Sequence, residues 1–255
     1  MNEDALKRIG ELGVPHAEVF FSANMEYTPE FIHGLNRICT DEGVSVVSVH
    51  AFTTVFEPQL FSYHPRQYEE ALRVYYNVLE AAAMLHAEIY VFHGPIWLKT
   101  ARKLALDFDY VGERTAFLAE EAKSYGIKLA YENVHWCWYQ YPGFAKELVE
   151  KSGADNLYFT LDMKQAAQSG YEVMDFIDDM GERLAHIHLC DYIKKENGEI
   201  VSDLPFNGQM DWHTLRDKLR DIRYDGTLML EVYSSDYKTD GELMENYNKV
   251  NRFFE

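Results

Sequence analysis

Short runs of β-branched, aromatic and aliphatic residues alternate along the chain with longer stretches whose apolar residues recur at helical spacing. The strand-type runs cover residues 16–23, 44–51, 89–93, 128–133, 157–162, 184–191 and 227–233. Helical spacing fills 3–12, 66–85, 112–125 and 144–151 between them. Strand starts recur every ~25–45 residues, a length that suits one strand–helix unit. Such alternation predicts an α/β fold with a parallel sheet, and the size and repeat fit a (β/α)8 TIM barrel. Tyr125-Gly126 and Ser152-Gly153 read as helix stops before strands. Only seven strands are legible, and the chain opens on a helix, so the barrel is expected to lack its first, N-terminal strand. No linker or low-complexity tract divides the pattern, so one domain over 1–255 is expected.

Composition narrows the partners. The 255 residues carry a formal net charge of −18, which opposes a phosphate backbone, and no cluster of Lys and Arg lines a groove. Nucleic acid is therefore not an expected partner. No run of ~18 apolar residues is present, so no membrane partner is expected either. The acidic, helical start MNEDALKRIGEL is unlike a signal peptide, and Cys39, Cys137 and Cys190 form no CxxC. Reduced thiols in a cytoplasmic protein are the expectation.

Candidate chemistry sits at the strand ends. Alternate strand residues face one side. Ala130 and Glu132 share a face, as do Thr160 and Asp162, Met229 and Glu231, Ser48 and His50, and Val91 and His93. His188 stands opposite its apolar neighbours Ile187 and Leu189. In a parallel barrel the carboxyl ends of the strands open on one mouth. The pattern therefore delivers His50, His93, Glu132, Asp162, His188 and Glu231 there. Glu132, Asp162 and Glu231 would repel one another, with no Lys or Arg at these strand ends to offset them. A divalent cation removes that cost, and mixed carboxylate and imidazole ligation suits Mn²⁺, Co²⁺, Zn²⁺ or Fe²⁺. One ion held by Glu132, Asp162, His188 and Glu231 is expected. A lone carboxylate after a strand more often caps the next helix; repetition over four strands carries the metal reading. His50 and His93 suit a second metal, substrate contact or hydrogen bonds within the barrel. His186, one layer below His188, reads as a core histidine.

The segments VFHGP (91–95), LAYENV (129–134), FTLDMKQ (159–165), AHIHLCD (185–191), NGQMDW (207–212) and LMLEVY (228–233) resemble the xylose-isomerase-like TIM-barrel superfamily. That superfamily groups sugar-phosphate isomerases and epimerases with the AP endonucleases of the endonuclease IV type (AP endonuclease family 2). The resemblance implies an eight-stranded barrel whose first strand is the one missing here, and a metal on Glu132, Asp162, His188 and Glu231. Three positions depart from the pattern. Gln165 stands where the endonucleases and the ketose 3-epimerases carry a His three residues after the metal Asp. Trp138 stands where the epimerases usually carry a second Glu, and Lys194 where they carry an Arg. Asp203-Leu204-Pro205 lacks the endonuclease Asp-x-His, which argues against a trinuclear site, while a second ion at His50 and His93 stays open.

The expected activity is a divalent-metal-dependent isomerase or epimerase of a sugar, sugar phosphate or polyol. It would abstract a proton α to a carbonyl and pass through a metal-stabilised enediolate. Glu132 and Glu231 are the candidate bases, with Asp162 and His188 fixing the ion. His50, His93, Lys194, Trp138 and Gln165 are candidate substrate contacts. The alternatives are an endonuclease IV-like metal-dependent hydrolase and a keto-polyol (inosose) dehydratase that shares the first step. The aromatic segments 134–141 and 52–64 suit sugar packing or contact within a homo-oligomer.

Overall fold

Parallel strands cannot be joined by a tight turn, so each pair needs a crossover, which an amphipathic helix supplies. The computed structural model describes residues 1–96 and 106–255. The chain divides into two compact units: residues 1–132 with 136–138 and 146–158, and residues 133–135 with 139–145 and 159–255.

In the first unit, β1 (His16–Phe20), β2 (Ser45–His50), β3 (Ile89–Phe92) and β4 (Lys128–Glu132) pair in parallel in that order. Its helices are α1 (Asn2–Glu11), α2 (Pro29–Glu42), the short α3 (Thr53–Phe56), α4 (Pro65–Met84), α5 (Phe108–Ser124) and most of α6 (Phe144–Ser152). Buried Ala71, Tyr75, Val78, Leu79 and Ala82 give α4 one apolar stripe at spacings of three and four. Proline opens α2 and α4, where its missing N–H costs no helical bond. All four residues of β3 are buried, which is the signature of a strand covered on both faces.

In the second unit, most of β5 (Leu157–Asp162), β6 (Leu184–Leu189) and β9 (Thr227–Leu230) pair in parallel. Helices α7 (Met163–Ser169), α8 (Val173–Met180), α9 (Trp212–Asp221) and α10 (Asp240–Phe254) accompany them. The described residues thus hold the seven parallel strands that the periodicity predicts, and none precedes α1.

Between β6 and β9 the sequence pattern misses an antiparallel hairpin, β7 (Asp191–Lys194) and β8 (Ile200–Asp203). Each strand has four residues, too few to display a period. The hairpin hangs on Asp191, which is fully buried. Its Oδ1 accepts the backbone N–H of Tyr192 at 2.8 Å and of Met210 at 3.0 Å, and its Oδ2 accepts the Trp212 indole N–H at 2.9 Å. Gly208 lies so close that a Cβ there would fall 2.3 Å from Oδ1.

A second buried carboxylate locks the end of β3. Glu57 accepts the Tyr90 hydroxyl at 2.6 Å and the backbone N–H groups of His93 at 2.9 Å and Gly94 at 3.0 Å. Gly94 turns there with φ +69, a conformation that a residue with a Cβ resists. Burial pushes the Glu57 carboxyl up to about 8, against the lowering effect of Tyr90, His50 and the two amides.

Two outcomes follow from these carboxylates. Asp191→Ala strands buried donors at ~1–3 kcal/mol each, so its urea midpoint should fall well below that of the parent, with Asp191→Asn between them; equal midpoints would contradict the role. For Glu57, the folded pKa lies above the unfolded one, so its contribution is full in acid, erodes as pH rises past the ordinary carboxyl range and is spent above about 8. Urea unfolding of metal-free protein at pH 6 and pH 8.5 should show a loss of stability that is smaller in Glu57→Gln.

Candidate functional site

Each unit gathers one cluster of metal-type ligands. In the first, the ligand atoms of His50, His93 and Glu132 lie within 4.8 Å of one another. Register explains how. His50 pairs with Val91, and Val91 with Ala130, so His93 and Glu132 sit two residues further along their own strands. His93 Nε2 is 2.5 Å from Glu132 Oε2, and His50 Nε2 is 3.5 Å from the same oxygen. His50 Nδ1 bonds the Ala51 carbonyl at 3.1 Å, which assigns a proton to Nδ1 and turns Nε2 toward Glu132. The two imidazoles meet edge to face at 4.6 Å, flanked by Phe20 at 5.0 Å and Trp136 at 5.2 Å. Glu132 is 3% exposed, so these neighbours rather than water surround its carboxyl.

In the second unit, the ligand atoms of Asp162, His188 and Glu231 lie within the same 4.8 Å limit. Asp162 and His188 are register partners of β5 and β6, and the Glu231 N–H extends the ladder to the Leu189 carbonyl at 3.1 Å. His188 Nδ1 stands 2.7 Å from Glu231 Oε2. Asp162 does cap α7, with Oδ1 accepting the Gln165 N–H at 2.7 Å, so capping and a place in the cluster coexist in one side chain. Asn133 pins the Asp162 peptide from both sides: its Nδ2 donates to the Asp162 carbonyl at 2.9 Å, and its Oδ1 accepts the Asp162 N–H at 2.8 Å.

The sequence places no cation among the acids at the strand ends, and the structure corrects this. Lys164 is 8% exposed and donates to the Tyr233 hydroxyl, with Nζ 4.2 Å from that ring. Burial pulls its pKa down, but Asp162, the Tyr233 bond and Glu231 together raise it above the usual lysine value. The ammonium therefore stays charged and offsets part of the repulsion between Asp162 and Glu231. Lys164 escapes the sequence reading because it lies on α7 rather than on a strand.

The remaining candidates are dispersed. The Gln165 Oε1 accepts the His135 N–H at 3.2 Å and lies 2.5 Å from His135 Nδ1, so it is held by the loop after β4. Trp138 packs edge-on to Phe61 at 6.0 Å while its N–H donates to the Pro95 carbonyl; Trp136 is the ring against His93. Lys194 is exposed on β7, and its N–H donates to Gln209 Oε1 at 2.9 Å. His186 is fully buried, 5.1 Å from the His188 ring. All three cysteines are buried, and none forms a disulfide among the described residues. Glu57 and Asn133 had no strong signal: the first is a lone acid in an aromatic loop, the second an amide one residue past Glu132.

No described helix is long and apolar enough to cross a membrane. No curated protein matches the chain. Among solved structures, a D-tagatose 3-epimerase-like protein superposes with a TM-score of 0.77 at 21% identity, over 96% of this chain and 93% of that one. The D-psicose 3-epimerase of Clostridium cellulolyticum H10, solved with D-tagatose, gives 0.80 at 17% identity over 99% and 93%. A xylose isomerase-like TIM barrel protein from Mycobacterium smegmatis, solved in complex with magnesium, gives 0.74 at 16% identity over 99% and 87%. These likenesses carry the fold, a TIM barrel. The family model described as the xylose isomerase-like TIM barrel matches residues 6–252, and the chain belongs to that family.

Proposed function

We propose that this chain is a divalent-metal-dependent sugar isomerase or epimerase. The observation that carries the reading is the convergence of Asp162, His188 and Glu231, two carboxylates and an imidazole whose ligand atoms lie within 4.8 Å of one another. That donor set fits a first-row divalent cation or Mg²⁺. Glu132, ending β4, is assigned as the fourth ligand. Family membership supports the assignment, as do relatives of the same fold named as ketose 3-epimerases.

A bound ion would supply Lewis acidity, drawing electrons from a substrate carbonyl so that the neighbouring C–H becomes acidic. The protein supplies the bases. Glu231 is assigned to take the proton from that carbon, and Glu132 to return one. Return to the opposite face of the same carbon is epimerisation, and return to the neighbouring carbon is isomerisation. His93 Nε2 sits 2.5 Å from Glu132 Oε2, within reach of a proton on that carboxyl. Asp162, fixed by Asn133 and by the first turn of α7, holds its place throughout. The Trp136 ring against His93 offers an apolar face that excludes water and suits the C–H side of a sugar.

A second reading has its own observation. His50, His93 and Glu132 form a further three-ligand cluster, with Glu132 common to both assignments, which could hold a second ion and support hydrolysis of a phosphate ester. Metal content decides between them.

With Mn²⁺ or Co²⁺ present, the protein should exchange solvent deuterium into a carbon next to the carbonyl of a ketose. Glu132→Gln and Glu231→Gln should each slow exchange by ~10²–10⁴-fold, the usual contribution of a positioned base. Unchanged exchange in both variants overturns the assignment. Chelation should abolish exchange, and added metal should restore it. Metal analysis should give one ion per chain; two ions together with phosphoesterase activity would establish the second reading.

A further inference from the structure

The second unit contains a cleft of about 510 Å³ whose polar lining is Lys164, Gln165, Gln168, Lys195, Ser202, Ser235 and Asp236. Its walls continue from the residues assigned to the metal. Lys164 comes two residues after Asp162, and Ser235 and Asp236 follow Glu231 on the same loop. The third wall is β8 of the hairpin, through Ile200, Val201 and Ser202.

The lining has a definite chemistry. The Gln168 amide and the Ser202 hydroxyl each offer a donor and an acceptor, the Ser235 hydroxyl offers an acceptor, and the lysines offer donors. Asp236 is oriented, its Oδ2 accepting the Tyr233 N–H at 2.9 Å and its Oδ1 the Ser235 hydroxyl at 3.0 Å. Mixed donors and acceptors of this kind suit vicinal hydroxyls. The charges do not suit an anion. Lys195 is paired with Glu199 at 3.1 Å, Lys164 feels Asp162 and Glu231, and Asp236 adds a negative charge to the wall.

We infer that this cleft binds a neutral polyhydroxylated arm of the substrate, a glycosyl or polyol group attached beyond the carbons that react. The natural substrate is then larger than a free monosaccharide. The inference rests on the enolisation reading for the position of the reacting carbons, while the cleft itself can be tested apart from turnover.

The first test is saturation-transfer NMR with Mg²⁺-loaded protein and the glucosyl-fructoses maltulose and isomaltulose, with D-fructose and D-fructose 6-phosphate for comparison. Saturation should reach the glucosyl protons of at least one disaccharide and be lost in Ser202→Trp, which fills the cleft. The second test is the ratio of kcat/KM for deuterium exchange between that disaccharide and D-fructose. It should fall at least ~10-fold in Ser202→Trp and ~3–10-fold in Gln168→Leu, the worth of one hydrogen bond. Absence of glucosyl saturation, or an unaltered ratio in both variants, overturns the inference. So does a preference for D-fructose 6-phosphate that Lys195→Met removes, since that would make the cleft an anion site. Glucosyl saturation abolished by Ser202→Trp in a protein that exchanges no ketose would sink the enolisation reading and leave the carbohydrate cleft standing.

Discussion

Carboxylates withdrawn from water, and what compensates each, organise this molecule. Glu57, Glu132, Asp162 and Asp191 are all buried. An uncompensated carboxylate in such surroundings would cost several kcal/mol. Asp191 meets two amides and an indole, and Glu57 a phenol and two amides. Their donors are complete, so they act as fasteners. Glu132 and Asp162 differ in kind. Imidazoles face the first, and a lysine ammonium shares the surroundings of the second. Groups of that sort can exchange partners when a cation or a substrate arrives, and this is where chemistry is to be expected.

The two sorts depend on each other. Glu57 grips the N–H of His93, so the imidazole opposite Glu132 leaves a backbone that cannot drift. Asn133 does the same for Asp162, gripping the peptide and leaving the carboxylate to the helix cap and the cluster. The main-chain positions of His93 and Asp162 are thereby fixed, which would lower the reorganisation needed if either holds an ion.

This division also marks how far the sequence could be read. The seven parallel strands announce themselves because covered strands are apolar over four residues or more, and the helices between them keep their stripes. The ligand residues stand out because a polar side chain on the inward face of an apolar strand breaks a pattern. Glu57, Asn133 and Lys164 break none. They lie in a loop, just past a strand and on a short helix, where polar residues are ordinary, and only their partners, distant in sequence, give them meaning. The hairpin stayed hidden for a related reason: strands of four residues with a polar tip are too short for periodicity. Gln165 and Trp138 stand out by departure from a family pattern; in the structure Gln165 contacts His135 and Trp138 packs on Phe61.

The attachment of the β7–β8 hairpin has a consequence for how such a protein can change. Asp191 secures its base through bonds to Tyr192, Met210 and Trp212, none of which involves the tip residues 195–199. Mutation at the tip, or a change in its length, therefore leaves the strands that carry Asp162, His188 and Glu231 under no new stress. The scaffold separates a part that must stay constant from one free to vary, so a lineage can explore new partners for an old reaction without first losing the reaction.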